Sequence, residues 1–428
     1  MRFFRSKKTS GRAVFPRKTH KISRERMSPN ALKVLYRLKK ANYAACLVGG
    51  GVRDLLLNRQ PKDFDIATDA TPEDVRQLFN NSRMIGRRFR LVHVYFPGEI
   101  IEVSTFRGAL EEKPQEAPEE NPSMIAADNT YGTIEEDAWR RDFTVNALFY
   151  NIADFSVVDF TGGMKDLKNR FIRMIGDPVQ RYHEDPVRLL RAIRLAAKLK
   201  FKIYPETEAP LKELSHLLQH VPPSRLFDET LKLFFDGFSK LTYDYLNKYD
   251  YMDVLFPPTT KSLRHRKNAQ DKKLIILAMK ATDERFADGR SLNPGFLLSI
   301  LLWPAVQYVL DTEGENFKHF YQSLHYAIDQ VLKVQNETLR IPKRFTAMMR
   351  TVWVMQYQLI RRRGKRVYRT LGHRYFRAAY DFLKLRVDAG EPHADVVDWW
   401  RHFQKDNTKH RKKMVDELYR MRNRGEKK

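Results

Sequence analysis

Two carboxylates one residue apart, in Lys62-Asp63-Phe64-Asp65-Ile66, are the first side chains of this 428-residue chain whose spacing suits chemistry. On a strand, the two-residue period puts Asp63 and Asp65 on one face and Phe64 on the other. A pair so placed holds Mg²⁺ well, because this hard cation takes one or two carboxylates and completes its shell with water and phosphate oxygens. Acids in an exposed loop show the same spacing, so the neighbours decide. Upstream stands Gly49-Gly50-Gly51, followed by Val52-Arg53-Asp54. Glycines let backbone N–H groups approach a phosphate, and Arg53 offers a forked donor to its oxygens; an ordinary strand-to-helix turn has the same composition.

Three further groups carry charge where it needs a reason. Glu102 lies in Ile100-Ile101-Glu102-Val103-Ser104-Thr105-Phe106-Arg107, a β-rich run in which an acid is unfavourable unless paired, metal-bound or turned to solvent. It is a candidate to stand near the aspartate pair. Trp139-Arg140-Arg141-Asp142-Phe143-Thr144-Val145-Asn146-Ala147 sets two arginines and an acid just ahead of an expected helix. That arrangement suits triphosphate and ribose contacts, or a capped helix with exposed charges. In His183-Glu184-Asp185-Pro186-Val187-Arg188-Leu189-Leu190-Arg191, the residues Asp185, Arg188 and Arg191 fall three apart and share one helix face. Fixed donors and acceptors on one face read the edge of a base; an i,i+3 salt bridge on a solvated helix has the same spacing.

The elements that must position these groups are legible in outline. Residues 1–27 hold no acid before Glu25 and read as a basic arm. Ser28-Pro29-Asn30 starts a helix with Leu32, Leu35 and Leu38 on its apolar face, and 43–48 is a buried strand running into the glycines. Strands are expected at 62–68, 84–96 and 100–106, the last two joined by Pro97-Gly98, with a helix from Thr71-Pro72 between them. Residues 109–129, rich in Pro and Glu, form a surface loop. From Asp185 onward helical periods dominate and no fixed-period repeat occurs. The divisions expected are a catalytic head over 28–165, a helical neck over 166–240, a helical body over 241–400 and a basic tail over 401–428.

Composition bounds the function classes. With 42% hydrophobic and 30% charged residues the chain is neither low-complexity nor acidic-disordered. Lys and Arg number 78 against 52 Asp and Glu, a net charge of +26, so a polyanion is the expected partner: nucleic acid first, an anionic membrane surface second. One cysteine, Cys46, excludes an intrachain disulfide and a cysteine zinc site, and its apolar neighbours make it a small buried hydrophobe. No run of about 20 apolar residues occurs, which points to the cytoplasm.

Taken in order, Leu-Val-Gly-Gly-Gly-Val-Arg-Asp (47–54), Lys-Asp-Phe-Asp (62–65), Ile-Glu-Val-Ser-Thr-Phe-Arg (101–107), Arg-Arg-Asp-Phe-Thr-Val-Asn-Ala (140–147) and Glu-Asp-Pro-Val-Arg-Leu-Leu-Arg (184–191) resemble the class II nucleotidyltransferase family. Its members are bacterial poly(A) polymerases and CCA-adding tRNA nucleotidyltransferases. Within it, the arginine-rich stretch 84–94, Gly51, the basic ends, and the later segments 339–345 and 362–381 are more similar to the poly(A) polymerases. None of the 12 histidines precedes an aspartate, so the His-Asp phosphohydrolase domain of some CCA-adding enzymes is absent. The loop at 109–129 is more acidic, and the tail shorter, than the resemblance implies.

The resemblance implies an α+β nucleotidyltransferase head with a small mixed β-sheet, followed by an all-helical neck with nucleotide-selecting and RNA-binding elements and an all-helical, RNA-binding body. It implies Asp63 and Asp65 as ligands of two Mg²⁺ ions, with Mn²⁺ as a substitute, and Asp142 as a third catalytic acid for which Glu102 competes. Gly50, Arg53 and Arg141 would contact the nucleotide's phosphates or ribose, and Asp185, Arg188 and Arg191 would select the base. The expected activity is template-independent addition of AMP from ATP to RNA 3′ ends, in RNA polyadenylation and decay. Tyr357, Tyr368, Tyr375, Phe376, Trp399 and Trp400 are candidates for stacking on RNA, or for the core. The expected partners are RNA 3′ ends and ATP, with RNA-decay or RNA-chaperone proteins and a peripheral membrane contact as further candidates and a monomer as the working state. A CCA-adding enzyme is the alternative activity, and a non-catalytic RNA-binding protein on the same fold is the alternative class.

Overall fold

Ser28 opens the first helix as the sequence predicts. Its hydroxyl accepts from the backbone N–H groups of Asn30 and Ala31, and Pro29 occupies the first turn of the helix Pro29–Lys40. The buried stripe is Ala31, Val34, Leu35 and Leu38, with Leu32 at its margin. In this computed structural model the described residues are 11–86, 90–108, 130–362 and 364–425. Arg87 and Arg88 of the arginine-rich stretch, the acidic loop 109–129 and the ends of both basic termini lie outside them. Contacts divide the chain into two units, one running to residue 188 with 200–210 added, the other comprising 189–199 and 211 onward.

The first unit is built on a mixed eight-stranded sheet in the order β1-β8-β7-β2-β3-β6-β5-β4. These strands are β1 (Ala13–Phe15), β2 (Ala45–Val48), β3 (Asp65–Thr68), β4 (Ser82–Ile85), β5 (Leu91–Phe96), β6 (Glu99–Thr105), β7 (Leu148–Asn151) and β8 (Val157–Asp159). A separate parallel pair joins β9 (Phe171–Ile172) to β10 (Lys202–Ile203). β2 is buried along its whole length because β7 and β3 flank it, which is why its sequence is a continuous apolar run. Only β3 and β6 run parallel within the large sheet. Cys46, Ala67, Phe106, Phe149 and Val158 close one face in a single apolar cluster. Burial pushes the Cys46 thiol up to about 12, which makes it an inert packing residue.

Several expectations change in detail. The segment expected to be a basic arm, 1–27, contributes β1 as an edge strand against β8. Its His20 ring pairs with the Phe155 carbonyl at 3.0 Å, and Ile22 is buried. β3 starts only at Asp65, so Asp63 precedes the strand. The helix expected after Asp142 is a single 3₁₀ turn, Thr144–Asn146. The α helix lies ahead of the arginines instead, over Ile134–Arg140, opened by a Thr133–Glu136 capping box.

The second unit contains no strand among its described residues. Its core is anchored by Trp303, Trp353 and Trp400, all fully buried. The Trp353 and Trp400 indole N–H groups donate to the Ser299 and Leu359 carbonyls at 2.8 and 2.9 Å, as buried indoles must. Trp400 and Phe376 are therefore core residues and not stacking surfaces, while Trp399 and Tyr375 pack against the same cluster. Tyr357 accepts from Gln307, which leaves Tyr368 as the exposed aromatic of that group. No single described helix is long and apolar enough to cross a membrane. The most apolar stretch, Pro294–Leu301 with the following helix, bends by 42° and buries Leu297, Leu298, Ile300 and Trp303.

Candidate active site

Register brings the acids together. β3 pairs Asp65 with Val48 on one side and with Glu102 on the other, so the start of β3 faces both the end of β2 and the acid of β6. Phe64 is buried, while Asp63 is exposed and Asp65 half-buried. Burial pushes the Asp65 carboxyl up to about 6, reinforced by the charges of Glu102 and then Asp63 and opposed by Arg141. Glu102 also stands 3.8 Å from the His93 ring across the β5–β6 pair. The result is a patch of negative charge that a cation would relieve.

Gly49 makes this patch approachable. Its φ of 68° and ψ of −138° lie where only glycine is comfortable. A Cβ there would sit 3.5 Å from Arg141 Nη1 and 3.9 Å from Asp65 Oδ2, so backbone, guanidinium and carboxylate converge at this residue. Gly50 lies against the Arg53 guanidinium, and a Cβ on Gly51 would meet the Asp63 carbonyl at 3.4 Å. The glycine run thus lets the start of the helix Gly50–Leu56 pass close to the residue ahead of β3.

The arginines are held rather than loose. Arg141 donates twice to Asp137 Oδ2, at 3.1 and 2.8 Å, and its guanidinium lies 5.0 Å from the Phe149 ring centroid. Arg53, only 4% exposed, donates to Asp54 and to Asn146 Oδ1 at 2.8 and 2.6 Å. Asn146 in turn donates to Asp142, whose carboxylate also caps the Phe143 N–H at 2.7 Å. Asp142 is thereby placed on the Asn146–Arg53–Asp54 chain, and Glu102 is the first, ahead of Asp63, of the acids whose charges raise Asp65.

The base-reading group is arranged differently from its sequence pattern. Asp185 lies ahead of the helix Val187–Leu199, its carboxylate accepting from the Val187 N–H at 3.3 Å, and only Arg188 and Arg191 are helical. The proline at 186 separates Asp185 from that helix, since the residue before proline is driven out of helical geometry. Arg188 donates to Glu184 and to the Arg181 carbonyl. Arg191 lies on the next turn.

Sequence reasoning passed over Arg181. Its Nη2 donates to the carbonyls of both Arg140 and Arg141 at 2.7 Å, and its Nη1 meets Glu184 at 2.6 Å. One guanidinium thereby fastens the Arg140-Arg141 turn to the carboxylate that also holds Arg188. The available signal was the i,i+3 spacing of Arg181 and Glu184 on the helix Pro178–Glu184. Asn146 and Asp137, which hold Arg53 and Arg141, carried no separate signal; their partners are distant in sequence or hidden in helix spacing.

Three family models match: the Poly A polymerase head domain over residues 45–173, a probable RNA and SrmB-binding site of polymerase A over 200–263, and the polymerase A arginine-rich C-terminus over 316–428. Poly(A) polymerase I of Escherichia coli O6:H1 is 47% identical over 95% of this chain and 88% of its own. The CCA-adding enzyme of Lactobacillus helveticus is 39% identical over only 47% of this chain and 49% of its own. A crystal structure of the Bacillus stearothermophilus CCA-adding enzyme in complex with CTP has the same fold, with a TM-score of 0.56 and 22% identity over 88% of this chain and 82% of that one. The head-domain match encloses the aspartates, the glycine run and the paired arginines, and the identity to Poly(A) polymerase I continues through the helical unit, so the chain belongs to the poly(A) polymerase family of nucleotidyltransferases.

Proposed function

We propose that this protein is a template-independent poly(A) polymerase that transfers AMP from ATP to RNA 3′ ends. The observation that carries the reading is the acidic patch of Asp63, Asp65 and Glu102 beside Arg141, in a chain similar to Poly(A) polymerase I over nearly its whole length. The RNA 3′ oxygen forms a bond to the α-phosphorus, the bond to the bridging β-phosphate oxygen breaks, pyrophosphate leaves and the hydroxyl proton is released. Mg²⁺, bound at the aspartates, would lower the pKa of that hydroxyl and neutralise the leaving group. Among the described residues no group of three or more His, Cys, Asp or Glu side chains is placed to hold a metal ion. Such a hard ion would take Asp63 and Asp65 and complete its shell with substrate phosphate oxygens and water.

The remaining roles belong to this chain's own side chains. Arg141, fixed by Asp137, places its charge at Gly49, where a triphosphate would approach. Arg53, with Gly50 against it, would support the phosphates or ribose from the buried Asp54–Asn146 chain. Asp185, Arg188 and Arg191 would present fixed donors and acceptors to adenine, replacing a template base. Glu102 acts as the third carboxylate of the cluster in this reading, and Asp142 contributes by holding Asn146. A long ladder from a labelled RNA with ATP and Mg²⁺, absent in Asp63→Ala, is the expected result. Glu102→Gln should fall with Asp63→Ala, and Asp142→Asn should keep measurable turnover; the reverse order returns Asp142 to the catalytic set. Short, CTP-dependent addition would establish the CCA-adding alternative instead.

A further inference from the structure

A cavity of about 560 Å³ lies within the second unit, walled by the helices Phe320–Thr338, Lys343–Arg361 and Arg366–Leu371. Four arginines line it, Arg350, Arg361, Arg366 and Arg369, together with two histidines and no acid. Its floor is apolar, with Val354, Met355 and Val367, and Tyr321 stands at its edge. Two of the arginines have structural work: Arg350 is held by Asp329 at 2.5 Å, and Arg361 lies 4.9 and 5.3 Å from the Phe320 and Tyr321 ring centroids. Arg366 and Arg369 do not. They stand exposed one turn apart, and among the described residues neither guanidinium has a hydrogen-bond or ion-pair partner.

A solvated basic face would need neither the concavity nor the apolar floor. Guanidinium groups pair with phosphate oxygens in a forked geometry, and bases settle on aromatic and apolar side chains without regard to sequence. The volume falls in the range of pockets that enclose a small ligand. From this combination we infer that the cavity seats one nucleotide of single-stranded RNA, its phosphate on Arg366 and Arg369 and its base against Tyr321 and Met355. The inference rests on the reading that the protein acts on RNA, and it adds a second site, separate from the carboxylates, that grips the strand being extended. A free mononucleotide shares the chemistry, so the test separates the two sources.

The experiment uses the full chain and its Arg366→Gln/Arg369→Gln variant, with fluorescence anisotropy of a labelled 20-residue oligo(A) across a salt series and a parallel titration with ATP. Both substituted side chains are exposed, and an unchanged Tm confirms that the fold is kept. The expected result is oligo(A) binding weaker by about tenfold, with a log–log salt slope shallower by roughly 0.7 for the one lost phosphate contact. ATP binding, and turnover at saturating RNA, should not change. Unchanged oligo(A) affinity overturns the site, and a loss confined to ATP binding overturns the strand in favour of a free nucleotide. Because binding is read without turnover, a chain that failed to extend RNA could still show this loss, and an active chain could still lack it.

Discussion

Asp65 shows why the reactive residues of such a site are not its most stable ones. Its carboxyl is raised to about 6 by burial and by Glu102 and Asp63, so the folded protein binds a proton there that the unfolded chain, near 3.8, releases. The sign follows: between those two values the native state holds more protons than the unfolded state, so stability from this group falls as pH rises, and above about 6 the ionised carboxylate strains the fold. Asp65→Asn should therefore abolish RNA extension yet raise Tm, by more at pH 8 than at pH 5, with a ceiling on the order of 2–3 kcal/mol. Mg²⁺ should raise the Tm of the native protein at pH 8 and raise that of Asp65→Asn much less. Thermal melts at both pH values, with and without the ion, check this; a variant less stable than the native protein at pH 8 contradicts it.

At the scale of elements, the site depends on one turn being held from behind. The helix Ile134–Arg140 ends at the paired arginines, and the carbonyls of Arg140 and of the cap residue Arg141 both accept from the Arg181 guanidinium. That side chain is partly desolvated, which together with the Arg188 charge draws its pKa down from the ordinary arginine value. Glu184 shares its carboxylate between Arg181 and Arg188, so the turn carrying Arg141 and the residue expected to read the base are set by one network. Arg181→Lys keeps the charge but cannot span both carbonyls and Glu184. The expected outcome is a folded enzyme with kcat for ATP lowered about tenfold or more and weaker discrimination against the other NTPs, measured by single-nucleotide extension. Unaltered nucleotide choice together with unaltered kcat would show the network to be structural only.

For the molecule as a whole, the excess of 26 positive charges is spread over a chain whose head already pairs many of its arginines internally. Arg53, Arg141, Arg181 and Arg188 are committed to Asp54, Asp137 and Glu184, so they are the wrong source for general affinity toward a polyanion. That affinity must come from exposed Lys and Arg, which act through counterion release. Raising salt from about 50 to 200 mM should thus raise the KM for RNA at least tenfold while the KM for ATP moves by less than about threefold. Steady-state kinetics with each substrate varied in turn gives both numbers. A KM for RNA indifferent to salt would place recognition in shape and stacking instead.

The sequence by itself determined the chemistry available and the order of the parts. The Asp63–Asp65 spacing, the glycine run, the Arg140-Arg141-Asp142 series and the change to helical periods after Asp185 are local patterns, and local patterns survive in one dimension because strands and helices impose fixed periods on their side chains. Which acid faces which was beyond it. Glu102 meets Asp65 through the parallel pairing of β3 and β6, which are separated by a helix and two strands. Register between distant strands is set by the packed sheet, not by either strand alone. The same holds for Arg53 with Asn146, 93 residues apart, and for Arg181 with the Arg140 carbonyl, 41 apart. The basic segment at residue 13 reads as an arm until β8 offers it an edge to pair with. Phe376 and Trp400 read as stacking surfaces or core alike until the helices close over them. Composition and period tell what a residue can do; only the tertiary structure decides which partner its charge or its ring will spend itself on.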